Sequence, residues 1–335
     1  MAQTTLEQIV AADIGYGTCT LVNGEKKLVT YRSVVVKCDE AMANYKDATG
    51  YYLVGDEAVS ICREQRKSTD TSFFFSEDFR ILLLYGISLL GAKNPKLAIG
   101  LPNEYFESIK DKFKKHIYGL SEFMSNDQFN TIAVVRQPLG SVWAPGMLTV
   151  DGKKAKADAK TGMPVSLAGM TVVIDGGDGT TDICAFYKGK LAPDSDLGVS
   201  HGASNIHSMI KTQLSSKNAI DSATNIHDID RAVREGVIFV NGKEVKIKDM
   251  PAYKKGVDLY ASEIRDMIAS KWNAFNKIEC IVMTGGIVSI IGAKALAEKL
   301  KLPAPKVVVP EHPSQANAEG FLEYFLAFLK QKNLV

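Results

Sequence analysis

Two segments of this sequence place an aspartate directly before a glycine-rich loop. Residues 171–186 read TVVIDGGDGTTDICAF around Asp175, and residues 13–18 read DIGYGT from Asp13. A short, mainly apolar run precedes each aspartate, at residues 9–12 and 171–174, and another apolar run follows each loop. This pattern predicts a buried strand, a carboxylate at its end, a tight turn and a second strand.

Glycine-rich loops of this kind can bind an anion. The backbone turns tightly at glycine, so that successive N–H groups converge on one ligand, and nearby hydroxyl groups add donors. The residues that fit this role are Gly15, Gly17, Thr18, Gly177, Gly179, Thr180 and Thr181. One such segment alone is equally compatible with a β-hairpin whose turn happens to be rich in glycine and aspartate. Because the Asp-x-Gly-x-Gly-Thr spacing occurs twice, we favour two similar half-sites that face each other.

A polyphosphate fits between two opposed loops, each with an aspartate at the end of its strand. Magnesium keeps several waters and binds one or two carboxylates together with substrate phosphates, so Asp13 and Asp175 are expected to hold it through water. The sequence contains no G-x-x-x-x-G-K-[ST] motif and no clear G-x-G-x-x-G that opens a helix. A P-loop enzyme and a dinucleotide-binding fold are therefore disfavoured.

The composition is that of a soluble globular protein large enough for two domains. The chain has 335 residues, 46% of them hydrophobic and 23% charged. A formal net charge of +2 is too small to indicate a nucleic-acid or membrane surface, so we expect neither as a direct partner. The five cysteines are widely spread and form no CxxC pair, and no secretory signal is recognisable. These features predict reduced thiols and a cytoplasmic location.

The order of the predicted elements is similar in the two halves. Each glycine loop opens a meander of strands, which alternating helices and strands follow, as in an α/β protein of two related domains. The pattern also predicts a helix that starts near Ser141, an Asn-Gly hairpin within residues 236–247 and one helix over residues 289–300. We place the first domain at residues 1–165, with a polar loop at 151–162 before its end near Pro164, and the second at 166–314. The helix at 315–335 is expected to pack back on the first domain.

Five motifs resemble those of the actin superfamily of ATPases. They are phosphate-1 (DIGYG from Asp13), connect-1 (QPLG from Gln137), phosphate-2 (DGGDGTTD from Asp175), adenosine (IVMTGG from Ile281) and connect-2 (ANAEG from Ala316). They occur in the expected order across nearly the whole chain. The segments GLP at residues 100–102 and YYLVGDEA at residues 51–58 further resemble ParM-like plasmid-segregation actins of bacteria.

The resemblance implies an actin-like (ribonuclease H-like) fold, with a nucleotide cleft between two related domains, and it assigns roles to residues. The cofactor-binding set for ATP or GTP is Gly15, Tyr16, Gly17, Thr18, Gly177, Asp178, Gly179, Thr180, Thr181, Thr284, Gly285 and Gly286. The last two glycines let adenine lie against the backbone. Gln137 matches the residue that orients the attacking water, while Asp13 and Asp175 complete the catalytic set and bind the waters of Mg²⁺. An amide can position water but hardly deprotonate it, which is consistent with slow hydrolysis.

One position departs from the family pattern. Many relatives have a lysine where this chain has Thr20, so a positive charge is missing from the site. Asp178 and Asp182 lie close to the phosphate loop in sequence and have a possible second-sphere role, but Asp182 is also compatible with a simple strand cap.

The sequence does not assign a functional role to four other polar residues. His201 and His207 do not have the spacing of a metal pair with other ligands nearby, so we interpret them as surface or core histidines. Arg231 and Arg234 either flank the base or ribose or belong to a solvated helix.

The resemblance implies a hydrolase for ATP, or possibly GTP, that polymerises with bound nucleotide and disassembles after hydrolysis. Its expected partners are further copies of itself and a DNA-binding adaptor protein at a plasmid centromere, through which it segregates plasmid DNA. Two alternatives remain at this stage: a small-molecule kinase of the same superfamily, and a nucleotide-dependent scaffold with little turnover.

Overall fold

The computed structural model describes residues 5–61, 71–120, 132–155, 169–188, 190–216, 225–272 and 278–335. The strands are β1 (Ile9–Ile14), β2 (Thr18–Asn23), β3 (Leu28–Arg32), β4 (Val35–Lys37), β5 (Tyr45–Asp47), β6 (Gly50–Val54), β7 (Lys96–Leu101), β8 (Ile132–Arg136), β9 (Met147–Thr149), β10 (Met170–Gly176), β11 (Thr181–Tyr187), β12 (Lys190–Leu191), β13 (Leu197–Val199), β14 (Val237–Val240), β15 (Lys243–Lys246), β16 (Ile278–Thr284) and β17 (Val307–Pro310). The α-helices are α1 (Asp56–Ile61), α2 (Glu77–Leu90), α3 (Asn103–Gly119), α4 (Gln137–Trp143), α5 (Ala203–Ser216), α6 (Ile226–Glu235), α7 (Pro251–Trp272), α8 (Gly286–Ile291), α9 (Ala293–Lys299) and α10 (Ala316–Gln331).

Two sheets with the same strand arrangement form the body of the protein. The first has the order β3-β2-β1-β7-β8, and the second contains β12-β11-β10-β16-β17-β9. In each sheet an antiparallel hairpin, β1–β2 or β10–β11, is followed by two parallel neighbours. Parallel strands need crossover connections, which the intervening helices supply. The chain thus has the duplicated α/β architecture of an actin-like fold, as the sequence predicted.

The central strands are buried on both faces, which explains their apolar runs. All six residues of β7 are buried, as are six of the seven in β10. Helix α2 covers the first sheet, and it begins after an N-cap in which the Ser76 hydroxyl accepts a hydrogen bond from the N–H of Phe79 (3.1 Å). It ends at Gly91, which has a φ of 73°.

Helix α10 returns the end of the chain to the first sheet. Its Phe321 and Phe325 are fully buried in one cluster with Ile9 of β1. Helices α10 and α4 cross closely, because an added Cβ on Gly320 would lie 1.8 Å from the carbonyl oxygen of Gly140.

Strand β9 pairs with β17 and therefore belongs to the second sheet, although it precedes the predicted domain boundary. Pro164 and most of the polar loop lie outside the described residues. The boundaries of the two domains, at residues 165 and 314, stay a prediction.

Two predicted helices were wrong in their limits. The helix expected to start near Ser141 begins at Gln137 and ends at Trp143. The earlier start is possible because Pro138 lies in the first turn, where a proline is tolerated. The single helix expected over residues 289–300 is divided into α8 and α9 at Gly292, whose φ of 91° interrupts the helical backbone. The Asn-Gly hairpin is confirmed as β14–β15.

Candidate functional site

The two glycine loops have the same backbone geometry. The N–H of Gly15 donates to the carbonyl oxygen of Thr18 (3.1 Å), and the N–H of Gly177 donates to that of Thr180 (2.8 Å). A Cβ added to either glycine would lie only 3.0 or 3.2 Å from that oxygen. A side chain at the first glycine of either loop would crowd this turn, which is consistent with the recurring sequence spacing.

The loops meet across the space between the sheets. A Cβ on Gly17 would lie 2.6 Å from the Cβ of Asp178 in the opposite loop. The second loop is held from behind by the start of α5, where the N–H groups of Ala203 and Ser204 donate to the carbonyl oxygens of Gly177 and Asp178 (3.1 and 2.8 Å). The two predicted half-sites therefore form one site.

A single cavity between the sheets brings most of the predicted residues together. Its lining includes Asp13, Gly15, Tyr16, Gly17, Thr18, Gln137, Asp175, Gly177, Asp178, Gly179, Thr180, Gly285 and Gly286. The lining also includes Thr30, Phe74, Asp182, Ile290, Pro313, Ser314, Asn317 and Arg234.

Two amide side chains hold the two aspartates at the strand ends. The Gln137 Nε2–H donates to Asp13 Oδ1 (2.9 Å), and the Asn317 Nδ2–H donates to Asp175 Oδ2 (2.7 Å). Asn317 is fixed in turn by the Ser141 hydroxyl, which donates to its Oδ1 (2.9 Å). The carboxylates are therefore oriented before any ligand arrives.

Burial raises the pKa of all three aspartates in this part of the cavity. The pKa of Asp13 is raised by burial despite hydrogen bonds from Gln137 and Asn317. Burial raises the pKa of Asp175 to about 7 against the bond from Asn317, with a further contribution from the charge of Asp13. The pKa of Asp182 is raised to about 8, first by burial and then by the charge of Asp175. Such a cluster of buried carboxyls favours a bound cation.

The adenosine motif ends in a turn that approaches the second loop. Gly285 has a φ of 88°, and a Cβ there would lie 2.3 Å from the carbonyl oxygen of Gly176 and 2.7 Å from Asp175 Oδ1. Its N–H donates to the carbonyl oxygen of Pro313 (2.9 Å). Only glycine fits at this position, which leaves the backbone open towards the cavity.

Two residues of the predicted cofactor-binding set do not line the cavity. The Thr181 hydroxyl lies 2.7 Å from the carbonyl oxygen of His201 and 3.1 Å from the Tyr260 hydroxyl. The Thr284 hydroxyl donates to the carbonyl oxygen of Pro313 (2.9 Å). Both side chains are fully buried and bonded elsewhere, so the expectation that they contact the ligand is not supported by their positions.

Thr20, at the position where a lysine was expected, is also buried. It lies opposite Thr30 in the β2–β3 pair, and the two hydroxyl oxygens are 3.3 Å apart. Thr30 lines the cavity and Thr20 does not.

Sequence reasoning missed one group of residues beside the site. Possible ligand atoms of Asp178, His207 and Asp230 all lie within 4.8 Å of one another. His207 is buried, as the interpretation of a core histidine requires, and it lies beside two carboxylates that the sequence spacing does not reveal. The three residues come from a loop and two helices, so no local spacing in the sequence could indicate the cluster.

The cysteines and the helix lengths bear on two further expectations, reduced thiols and no contact with a membrane. None of the four described cysteines forms a disulfide bond: Cys19 and Cys184 are buried, and Cys38 and Cys280 are partly buried. Cys62 lies outside the described residues. Over the described ranges, every helix is too short or too polar to cross a lipid bilayer.

Family models match both halves of the chain. Residues 11–140 match the N-terminal domain of actin-like proteins, and residues 173–302 match the C-terminal domain of archaeal MreB-like actin homologues. The chain therefore belongs to the actin-like superfamily. No curated protein sequence matches it significantly.

Solved structures of actin-like proteins share the fold over nearly the full length. A 15-stranded ParM filament from Clostridium botulinum has a TM-score of 0.72 at 19% identity, with 96% of this chain and 99% of that chain covered. The archaeal actin homologue Ta0583 has a TM-score of 0.71 at 16% identity (95% and 99% covered). MreB 5 of Spiroplasma citri, bound to AMPPNP, has a TM-score of 0.68 at 13% identity (97% of each chain covered).

Proposed function

We propose that this protein is a filament-forming actin-like ATPase, which binds ATP or GTP with Mg²⁺ in the cavity between its two sheets. The observation that carries the proposal is the convergence of both glycine loops, both strand-end aspartates and Gln137 on one cavity. The similar fold of a ParM filament and of an AMPPNP-bound MreB supports the same assignment.

The donor set fits magnesium. Mg²⁺ binds oxygen ligands and retains waters, and Asp13 and Asp175 offer carboxylate oxygens at the ends of β1 and β10. Burial disfavours the ionised form of Asp175 and Asp182 and so raises their pKa values, and a bound cation would stabilise that form. Once bound, the ion neutralises charge on the phosphates. Gln137, which lines the same cavity, would position the attacking water.

Polymerisation is tested by light scattering of the full chain with Mg²⁺ and ATP or GTP. We expect scattering to rise after nucleotide addition and to fall as the nucleotide is hydrolysed. Asp175→Asn is the matched variant, because it keeps an acceptor for Asn317 but removes the charge; it should not assemble. Electron micrographs of the same samples distinguish filaments from amorphous aggregates. Persistent monomers at high concentrations of protein and nucleotide would contradict the proposal.

Turnover is tested separately, with Gln137→Ala. Loss of a group that positions water should slow phosphate release by about tenfold or more while leaving nucleotide affinity within a few-fold. If the wild-type protein assembles and the variant releases phosphate at the same rate, Gln137 does not position water. Assembly without appreciable phosphate release by the wild type would instead favour a nucleotide-dependent scaffold.

The proposed cellular role is segregation of plasmid DNA through a DNA-binding adaptor. It is supported by the likeness to ParM and by the small net charge of +2, which favours an indirect contact with DNA. A plasmid that carries this gene with its flanking DNA should be lost faster when the gene encodes Asp175→Asn. Equal retention with both alleles would contradict the role without touching the proposed ATPase.

A further inference from the structure

The cavity carries an unusual charge distribution for an anion-binding site. Four carboxyl side chains line it: Asp13, Asp175, Asp178 and Asp182. Among the described residues of the lining, Arg234 is the one cationic side chain. A nucleoside triphosphate brings further negative charge, which one Mg²⁺ neutralises only in part.

Arg234 lies where it can reach the first glycine loop. It belongs to the last turn of α6 and lines both the main cavity and an adjoining cavity of about 370 Å³. Thr18 of the first loop and Thr30 of β3 line the same two cavities. Arg234 is therefore shared by the two cavities, next to the first glycine loop.

In this structure Arg234 is bound to Asp230, one turn earlier in α6. Its Nε lies 3.2 and 3.1 Å from the two carboxylate oxygens. Asp230 is also bound by Arg32 of β3, whose Nη1 lies 2.6 Å from Oδ2. Burial raises the pKa of Asp230, but the charges of Arg32, Arg234 and His207 together outweigh burial and leave that pKa below its usual range.

Of the two guanidiniums, that of Arg234 is the one that can leave. The Arg32 side chain is only 14% exposed and connects β3 with α6, whereas the Arg234 side chain is 44% exposed. A half-exposed ion pair contributes little to stability. After Arg234 leaves, Arg32 still neutralises the buried carboxylate of Asp230.

A metal ion at Asp178, His207 and Asp230 is a weaker interpretation of the same group. The His207 Nε2 is buried, has no hydrogen-bond partner among the described residues and lies 3.6 Å from Asp230 Oδ1. However, two guanidiniums already neutralise Asp230 and would repel a divalent cation. The same guanidiniums attract an anion, so an anionic ligand is favoured.

We propose that Arg234 binds the phosphate groups of the nucleotide, and that these phosphates compete with Asp230 for its guanidinium. The proposal rests on the proposed nucleotide-binding function. It makes Arg234 a residue that discriminates between ligands by their charge.

The test is calorimetric binding of AMPPNP and of adenosine to the full-length protein with Mg²⁺, at concentrations where it stays monomeric. Arg234→Gln should weaken AMPPNP about ten- to hundredfold and leave adenosine unchanged, because only the former carries phosphate. Arg234→Lys should restore part of the affinity. Asp230→Asn removes the carboxylate charge that competes with the phosphates for Arg234. It should therefore strengthen AMPPNP binding severalfold, which is opposite to the effect of Arg234→Gln.

Arg231→Gln is the matched control. Arg231 lies in the same helix, is 70% exposed, pairs with Asp228 and does not line the main cavity, so both ligands should bind as to the wild type. Thermal unfolding of each variant excludes loss of folding as the cause.

Three results would overturn the inference. Equal weakening of AMPPNP and adenosine by Arg234→Gln would place Arg234 at the base or ribose. Unchanged binding of both would mean that the guanidinium stays on Asp230. A wild-type protein that binds neither ligand would refute the proposed function itself, so the two failures are distinguishable.

Discussion

Asp182→Asn should stabilise the ligand-free protein, and increasingly so as the pH rises from 4 to 8. The Asp182 side chain is buried in β11, opposite Asp175 of β10. Its pKa is about 8 in the folded protein, against 3.8 for the free side chain. Keeping this carboxyl protonated at pH 7 therefore costs up to about 4 kcal/mol relative to the unfolded chain, in which it is ionised.

The sign of the effect follows from which state binds the proton. Below pH 4 the carboxyl of Asp182 is protonated in both states and the substitution has little electrostatic effect. As the pH rises to 8, the unfolded chain loses this proton while the folded protein retains it, so the wild type loses stability and the variant does not. Asparagine keeps a polar side chain of the same shape. We expect a gain of about 2–4 kcal/mol at pH 7, or roughly 5 °C in the unfolding midpoint.

Urea unfolding in EDTA without nucleotide, at pH 5, 6, 7 and 8, measures this difference. His207 has its pKa lowered by burial and destabilises the protein as the pH falls, but it is present in both proteins and cancels. Asp266→Asn, at a side chain that is 70% exposed, is the control and should give a small, pH-independent difference. A wild-type-to-variant difference for Asp182→Asn that stays constant over this range would refute the argument.

Three further substitutions test the packing around the cavity. Gly17→Ala should weaken nucleotide binding about tenfold or more and also lower the unfolding midpoint, because its Cβ would lie 2.6 Å from the Cβ of Asp178 and would force the two loops apart; calorimetry and thermal unfolding measure both. Asn317→Ala removes the 2.7 Å hydrogen bond that lowers the pKa of Asp175, so the pH midpoint of Mg²⁺-dependent nucleotide binding should move upwards; an unchanged midpoint contradicts this. Gly320→Ala should destabilise the protein by about 3 kcal/mol in urea unfolding, because the helix crossing leaves no room and overpacking exceeds the gain of about 1 kcal/mol in helix propensity.

The β-structure around the loops was predictable because the signals there are local. Apolar runs on both sides of a glycine loop predicted β10 and β11, and the Asn-Gly pair at 241–242 predicted β14–β15. In both cases the residues that decide the structure are close together in the sequence. The duplicated spacing was enough to predict two facing loops.

The helices around the site were predicted less well, because local signals there conflict with the fold. Pro138 and Gly140 argue against a helix, yet α4 begins at Gln137 and uses Gly140 for its contact with α10. The apolar periodicity after residue 285 runs through Gly292, where the backbone breaks the helix. Each error reflects a glycine or proline whose role is set by its tertiary neighbours.

The candidate site was predicted only where its residues share a motif. The loop residues, Asp13 and Asp175 follow from spacing, but the contact of Asn317 with Asp175 spans 142 positions and that of Arg32 with Asp230 spans 198. These side chains come together only when the two sheets face each other. Spacing within one sequence carries no information about such pairs.

The cavity is arranged so that its ligand completes it. Without a cation, burial disfavours the ionised form of the three aspartates and raises their pKa values, while the guanidinium of Arg234 is bound to Asp230. Magnesium would stabilise the ionised carboxylates, and a phosphate group would offer Arg234 a second anion. Each component alone meets an unfavourable charge, the metal from Arg234 and the phosphate from the carboxylates. The charges of this cavity therefore favour joint binding of metal and nucleotide over binding of either one, and that coupling arises from the side chains already in place.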